Sequence, residues 1–298
     1  MNSTIRIIAN GSAKQMIDPK SREEFGGLVA RELPQATIVF AEKGDDVTQL
    51  TREAIEQGVT MVVAGGGDGT VNAIASALVD TDIVLGLLPL GTLNHFAKDL
   101  GLPSTVEDAV RALSTGRVVA VDVGEVNNHV FLNNSGLGLY PDIVHGREQR
   151  QNAGASKWAA AMIEGFKALM RYRLLGIRVI VDGNTLLRRT PAVLIGNNEY
   201  STEGTLLPTR TRLDGGVLSL YVPHPRGRMT LVWFAVRSLF WKPYPDNAFD
   251  ITVTNTLTIE SRQRRLRVSL DGEVTTIESP LTYRSRPRAL RVLVPRVT

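Results

Sequence analysis

A β-rich run, Thr60–Ala64, leads straight into Gly65-Gly66-Gly67-Asp68-Gly69-Thr70, and a helical pattern opens at Val71. Four glycines in five positions strip the Cβ atoms from the point where a strand becomes a helix. The surrounding sequence repeats that alternation. Thr4–Ala9, Ala36–Ala41 and Ile83–Leu88 read as further strands. Asp18-Pro19 reads as an N-cap followed by proline at the first helical position, opening a helix to about Leu33. Asp45 or Asp46 caps another helix that ends near Gly58, and Ala109–Leu113 lies in a further one. Near-continuous apolar strands between amphipathic helices predict a doubly wound, mostly parallel α/β sheet covered on both faces.

The pattern changes near Val121. Val130–Asn133, Leu175–Asp182, Thr185–Ile195, Val217–Val222, Ile251–Ile259 and Leu266–Leu270 read as strands, with Asp182-Gly183 as a hairpin turn. Two helical stretches, Ser156–Tyr172 and Arg228–Trp241, interrupt them. The expected organisation is an α/β domain over residues 1–122 and a β-rich, antiparallel, sandwich-like domain over 123–280. Ala289–Val294 fits a strand of either.

Composition narrows the function classes. The chain has 298 residues and no cysteine, so disulfides and thiolate metal sites are excluded. The four histidines are scattered and form no HExxH pair. Met1–Ala9 lacks the layout of a signal peptide, and no apolar run approaches the ~18 residues that cross a bilayer. The expected location is cytoplasmic, with peripheral membrane association. Net charge is +4, and nine arginines between Arg262 and Arg296 supply a basic C-terminal region. Such a region suits an anionic lipid surface, or is a solvated strand face. No recognised nucleic-acid module accompanies it.

The glycine stretch has its own chemistry. Backbone N–H groups without neighbouring Cβ atoms approach an anion closely, and the helix that follows aims the positive end of its dipole at the same place. Asp68 places a carboxylate beside a bound phosphate, which suits Mg²⁺. There is no Gly-Lys dipeptide, hence no Walker loop, and the glycine spacing is not GxGxxG.

Gly66-Gly67-Asp68-Gly69-Thr70 matches the GGDGT motif of lipid kinases, NAD kinases and phosphofructokinases. Pro89-Leu90-Gly91-Thr92-Leu93-Asn94-His95-Phe96-Ala97 resembles the PxGTxNDFA block of the diacylglycerol kinase catalytic family, which includes bacterial lipid kinases and sphingosine kinases. Asn10-Gly11-Ser12, Asp122-Val123-Gly124, Asn133–Gly138, Leu213–Gly216 and Leu270-Asp271-Gly272-Glu273 follow in the family's order, over about residues 5–275. The resemblance implies an ATP-binding α/β domain and a β-rich acceptor domain, with the site in the cleft between them. It also implies that about 281–298 return to the first domain.

The activity so implied is transfer of the ATP γ-phosphate to a lipid hydroxyl, with ATP and Mg²⁺ as cofactors. Asn10, Gly66, Gly67, Gly69, Thr70, Gly91, Thr92 and Asn94 would bind ATP. Asp68 and Asp122 would organise the metal, and Glu273 would be the general base. Asp271-Gly272 is equally a standard turn pair, and a turn can present Glu273. His95 and Asn134 are the acceptor-binding candidates. His95 stands where the family usually has Asp, which opens the identity of the lipid. Gly215 stands where many members have a second acid, leaving Asp214 as the candidate for a structural Mg²⁺. Arg226–Tyr244, rich in Trp, Phe and Leu with flanking cations, fits a membrane interface or a buried helix. A homodimer is compatible with this reading. The rival functions are a nucleotide- or lipid-binding regulator without catalysis and another small-molecule kinase such as one for NAD.

Overall fold

The computed structural model describes residues 4–13, 16–42, 44–138, 174–200, 210, 212–223 and 249–296. The helical stretches expected at Ser156–Tyr172 and Arg228–Trp241 lie outside them. The chain forms two compact units. Unit 1 holds residues 1–123, 130–132 and 286–298, and unit 2 holds 124–129 and 133–285.

Unit 1 is built on parallel strands β1 (Ile5–Asn10), β2 (Ala36–Ala41), β3 (Met61–Gly66) and β4 (Val84–Pro89), in the order β2-β1-β3-β4. Between them run α1 (Pro19–Glu32), α2 (Gly44–Glu56) and α3 (Asp68–Leu78). α4 (His95–Asp99) and α5 (Val106–Thr115) follow β4. The Asp18 carboxylate accepts Ser21 N–H at 3.3 Å, and Thr105 Oγ1 accepts Asp108 N–H at 3.3 Å, so both helices begin on side-chain caps. α2 opens at Gly44, which puts Asp45 and Asp46 in its first turn and corrects their expected capping position.

β1, β3 and β4 are buried on both faces, as their unbroken apolar runs require. Ile5, Ile7, Val63 and Leu88 pack with Phe25 and Val29 of α1 and Val110 and Leu113 of α5. Each such side chain contributes about 1.5–3 kcal/mol on burial. α2 and α3 pack on each other, α2 against β1 and α3 against β3.

The remaining strands are β5 (Arg117–Val126), β6 (His129–Phe131), β7 (Asn134–Gly138), β8 (Leu175–Val181), β9 (Asn184–Thr190), β10 (Ala192–Asn197), β11 (Leu218–Pro223), β12 (Phe249–Thr254), β13 (Thr256–Ser261), β14 (Arg265–Leu270), β15 (Glu273–Glu278) and β16 (Leu281–Val294). In unit 2 one antiparallel sheet has the order β12-β11-β10-β7-β14-β15. A second pairs the opening residues of β16 with β13, then β8 and β9. The last residues of β16 belong to unit 1, where Val292 pairs in parallel with Leu85.

Two expected strands are each split. Thr185–Ile195 breaks at Pro191 and Ile251–Ile259 at Asn255, and in both cases the chain crosses from one sheet of unit 2 to the other. Proline has no N–H for a ladder and restrains the residue before it. At each break the last residue of the first strand is a buried threonine. Thr190 donates its hydroxyl to Ala192 O at 2.8 Å, and Thr254 to Thr256 O at 2.9 Å. Asp182-Gly183 joins β8 to β9 with φ of 49° and 77°, the doubly positive turn that such a hairpin demands.

Candidate active site

β1 has β2 on one side and β3 on the other, so the chain leaves their carboxyl ends in opposite directions. In an open parallel sheet that switch point forms a ligand crevice. The loops after β1, β3 and β4 meet there.

The glycine loop is shorter than its sequence suggests. Gly67 is the N-cap of α3, and the bond from Val71 N–H to Gly67 O (3.1 Å) closes the first turn. α3 therefore begins three residues before Val71. Its first-turn N–H groups, on Asp68, Gly69 and Thr70, have no acceptor within the helix. Amides left free at a helix N-terminus, aided by the helix dipole, are able to bind an anion. Buried Thr70 folds back over the end of β3, where a Cβ on Gly66 would lie 2.4 Å from its Oγ1.

The loop after β4 is pressed against this turn. Leu90 N–H donates to Gly66 O at 3.2 Å. A Cβ on Gly91 would lie 2.4 Å from Gly67 Cα. Asn94 sits in the left-handed region at φ 48° and donates Nδ2 to Gly91 O at 2.7 Å, so its side chain closes its own loop. Thr92 and His95 are exposed beside it. From β1, Asn10 Nδ2 reaches Thr70 Oγ1 at 3.5 Å. Asn10, Gly66, Gly67, Gly69, Thr70, Gly91, Thr92 and Asn94 are thus brought to one place.

Asp68 is half-buried, and its carboxylate has no hydrogen-bond or ion-pair partner among the described residues. One carboxylate beside a phosphate loop fits Mg²⁺, which takes one or two protein carboxylates and completes its shell with phosphate oxygens and water. Asp122, on β5, is 1% exposed, and its Oδ1 accepts Arg288 N–H at 2.8 Å. Arg288 has φ 53°, so this carboxylate braces an unusual backbone turn inside β16. Sequence reasoning had no means of finding that bond, which joins residues 166 positions apart.

In unit 2, Asp271 and Gly272 form the turn between β14 and β15, with φ of 50° and 96°, and Glu273 opens β15 exposed. Asp271 Oδ1 accepts Asn133 N–H at 2.7 Å and Asn134 N–H at 3.0 Å, while its own N–H donates to Asn134 O at 2.9 Å. Asn134 and Glu273 are therefore tied to one hairpin. Arg210, missed in the sequence, is buried and donates to Asn133 Oδ1 at 2.8 Å, and Tyr200 OH donates to Asn133 O at 2.9 Å. Asp214 is exposed and paired with Arg212 at 3.3 Å. A Cβ on Gly215 would lie 2.7 Å from Asn198 Oδ1, the acceptor of the Gly215 N–H. No group of three His, Asp or Glu able to hold a metal gathers among the described residues.

A diacylglycerol kinase catalytic-domain family model matches residues 4–126, and one for the YegS C-terminal NAD kinase beta sandwich-like domain matches 145–294. The chain is 32% identical over 237 residues to a protein of Chromohalobacter salexigens named probable lipid kinase YegS-like, covering 74% of each. It is 32% identical over 188 residues to an Enterobacter protein of the same name, covering 62% of that relative. It is 26% identical over 224 residues to a diacylglycerol kinase of Staphylococcus aureus, covering 70% of each. A solved diacylglycerol kinase from Bacillus anthracis shares the fold, with a TM-score of 0.72 over 98% of this chain and 97% of that one at 20% identity. The chain belongs to the diacylglycerol kinase catalytic-domain family of lipid kinases.

Proposed function

We propose that this protein transfers the γ-phosphate of ATP to the hydroxyl of a lipid alcohol resembling diacylglycerol. The observation that carries the reading is the meeting of Asn10, the Gly66–Thr70 turn and the Gly91–Asn94 loop at the switch point of a parallel sheet. The N–H groups of α3 hold the phosphates. Gly66, Gly67, Gly69 and Gly91 permit close backbone approach, and Asn10, Thr70 and Thr92 add side-chain donors. Asp68 would hold Mg²⁺, with Asp122 the second candidate; when bound, the ion neutralises charge on the phosphates.

Glu273 takes the proton of the acceptor hydroxyl. The lipid oxygen forms its bond to the γ-phosphorus, the bond from that phosphorus to the β–γ bridging oxygen breaks, and ADP leaves with the bridging electrons. Asn134 and His95 engage the acceptor's polar head. A lipid acceptor lies in a bilayer, so the enzyme acts as a cytoplasmic protein visiting an anionic membrane surface. No helix among the described residues is long and apolar enough to cross a membrane.

Incubation with Mg-ATP labelled at the γ position, and in separate tubes diacylglycerol micelles, a total lipid extract or NAD, tests the proposal. Label in lipid is expected, and Glu273→Gln removes it while ATP still binds. Label in NAD alone would overturn the lipid assignment. ATP binding without any product would favour a regulator.

A further inference from the structure

Arg22, on α1, lies outside the set of residues proposed to meet ATP or the lipid. Its Nε donates to Met16 O at 2.6 Å and its Nη2 to Gly11 O at 3.2 Å. Nη1 and Nη2 also meet Glu42 Oε1 and Oε2 at 3.0 and 3.4 Å. The guanidinium carbon stands 4.6 Å from the centroid of the Phe40 ring. One planar fork therefore grips both ends of the loop between β1 and α1 and anchors them to the end of β2. As an ion pair with its side chains 29% and 61% exposed, Arg22–Glu42 adds little stability. Its value is geometric, because a guanidinium holds several acceptors in one rigid plane. A Cβ on Gly11 would lie 2.8 Å from Arg22 Nη2 and 2.9 Å from both Glu42 oxygens, so the clamp occupies the space of a side chain there.

The clamped loop in turn aims Asn10. Ser12 N–H donates to Asn10 Oδ1 at 2.9 Å, and Ala13 N–H to Asn10 O at 3.0 Å. With Oδ1 held, Nδ2 is turned toward Thr70 Oγ1. We propose that Arg22, braced by Glu42 and Phe40, is a positioning residue for the nucleotide. It holds the backbone at Gly11 and at Met16 so that Asn10 faces the glycine turn. The proposal rests on the ATP reading given above. Arg22 acts through Asn10 and does not itself meet the nucleotide.

The test titrates Mg-ATP into the full-length protein and measures steady-state transfer. Arg22→Ala is expected to raise Kd and KM for Mg-ATP about tenfold with kcat within about twofold, the pattern of lost binding rather than lost chemistry. Arg22→Lys keeps the charge but not the fork, and recovers little of the loss. The exchange Arg22→Glu with Glu42→Arg restores an ion pair but leaves the Gly11 and Met16 carbonyls without their donor, so affinity stays low. Wild-type affinity in Arg22→Ala, or its recovery in the exchanged pair, would overturn the clamp. Should Arg22→Ala fail to fold, Gly11→Ala displaces the fork with Arg22 in place; a raised KM supports the proposal and an unchanged one refutes it. A wild-type protein that binds no Mg-ATP would overturn the ATP reading together with the clamp, an outcome distinct from equal binding by wild type and Arg22→Ala.

Discussion

The contact between the two glycine loops gives the sharpest test of the site. In Gly91→Ala the new methyl carbon lies 2.4 Å from Gly67 Cα, 3.1 Å from Gly67 N and 2.7 Å from Asn94 Oδ1. The obstacle is backbone, so no rotamer change relieves it, and ordinary contact begins near 3.4 Å. The loops must part by about 1 Å, and a displacement of that size in a reacting site costs about 10²-fold in rate. That loss corresponds to roughly 2.7 kcal/mol of transition-state stabilisation. The assay is kcat/KM for ATP-dependent lipid phosphorylation, with a melting curve alongside. Gly26→Ala is the control, since a Cβ there meets nothing within 4 Å inside α1. It is expected to leave activity unchanged and to stabilise by about 0.5–1 kcal/mol, because Gly is a poor residue for a helix interior. Gly91→Ala with wild-type kcat/KM would refute the argument that these loops must touch to hold the phosphates.

Asp122→Asn keeps an oxygen for Arg288 N–H and removes the charge. It is expected to lower kcat while holding stability within about 1 kcal/mol, whereas Asp122→Ala loses activity and about 1.5–3 kcal/mol. An Asn variant as active as the wild type would confine Asp122 to bracing β16. Tyr283 is fully buried with its hydroxyl 3.0 Å from Ser135 Oγ, and burial, opposed by that bond, holds its pKa well above the ordinary tyrosine value. Below about pH 10 the phenol is neutral in both states; above it the unfolded chain releases a proton that the folded chain keeps, so stability falls as pH rises. Tyr283→Phe is expected to cost about 1–2 kcal/mol at neutral pH and to flatten that alkaline fall. Denaturant melts at pH 8 and pH 11 check both, and an unchanged alkaline slope would count against it.

The local elements were largely readable from the sequence because their signals are local. The Asp18 cap with Pro19, the Asp182-Gly183 turn and the continuous apolar runs each declare an element within a few residues. The differences have separate causes. Thr185–Ile195 reads as one strand because its residues suit a sheet on either side of Pro191, and only the two-sheet arrangement shows that they serve different sheets. α3 reads as starting at Val71 because Gly69 is a poor helix former, but the turn is closed by the Val71 to Gly67 bond.

The order of residues alone settled that the proposed phosphate site has backbone amides, and no P-loop lysine, to offer. It also determined that an α/β half precedes a β half, since glycine clusters and hydrophobic periods are properties of neighbouring residues. Tertiary structure alone decided that Gly91 lies against Gly67 and that Asn10 meets Thr70 across 60 positions. It alone hooked Asp271 onto the Asn133-Asn134 backbone and closed Arg22 over the first loop. Those contacts depend on strand order and register, which bring distant segments within hydrogen-bond reach and leave no periodic trace in the chain.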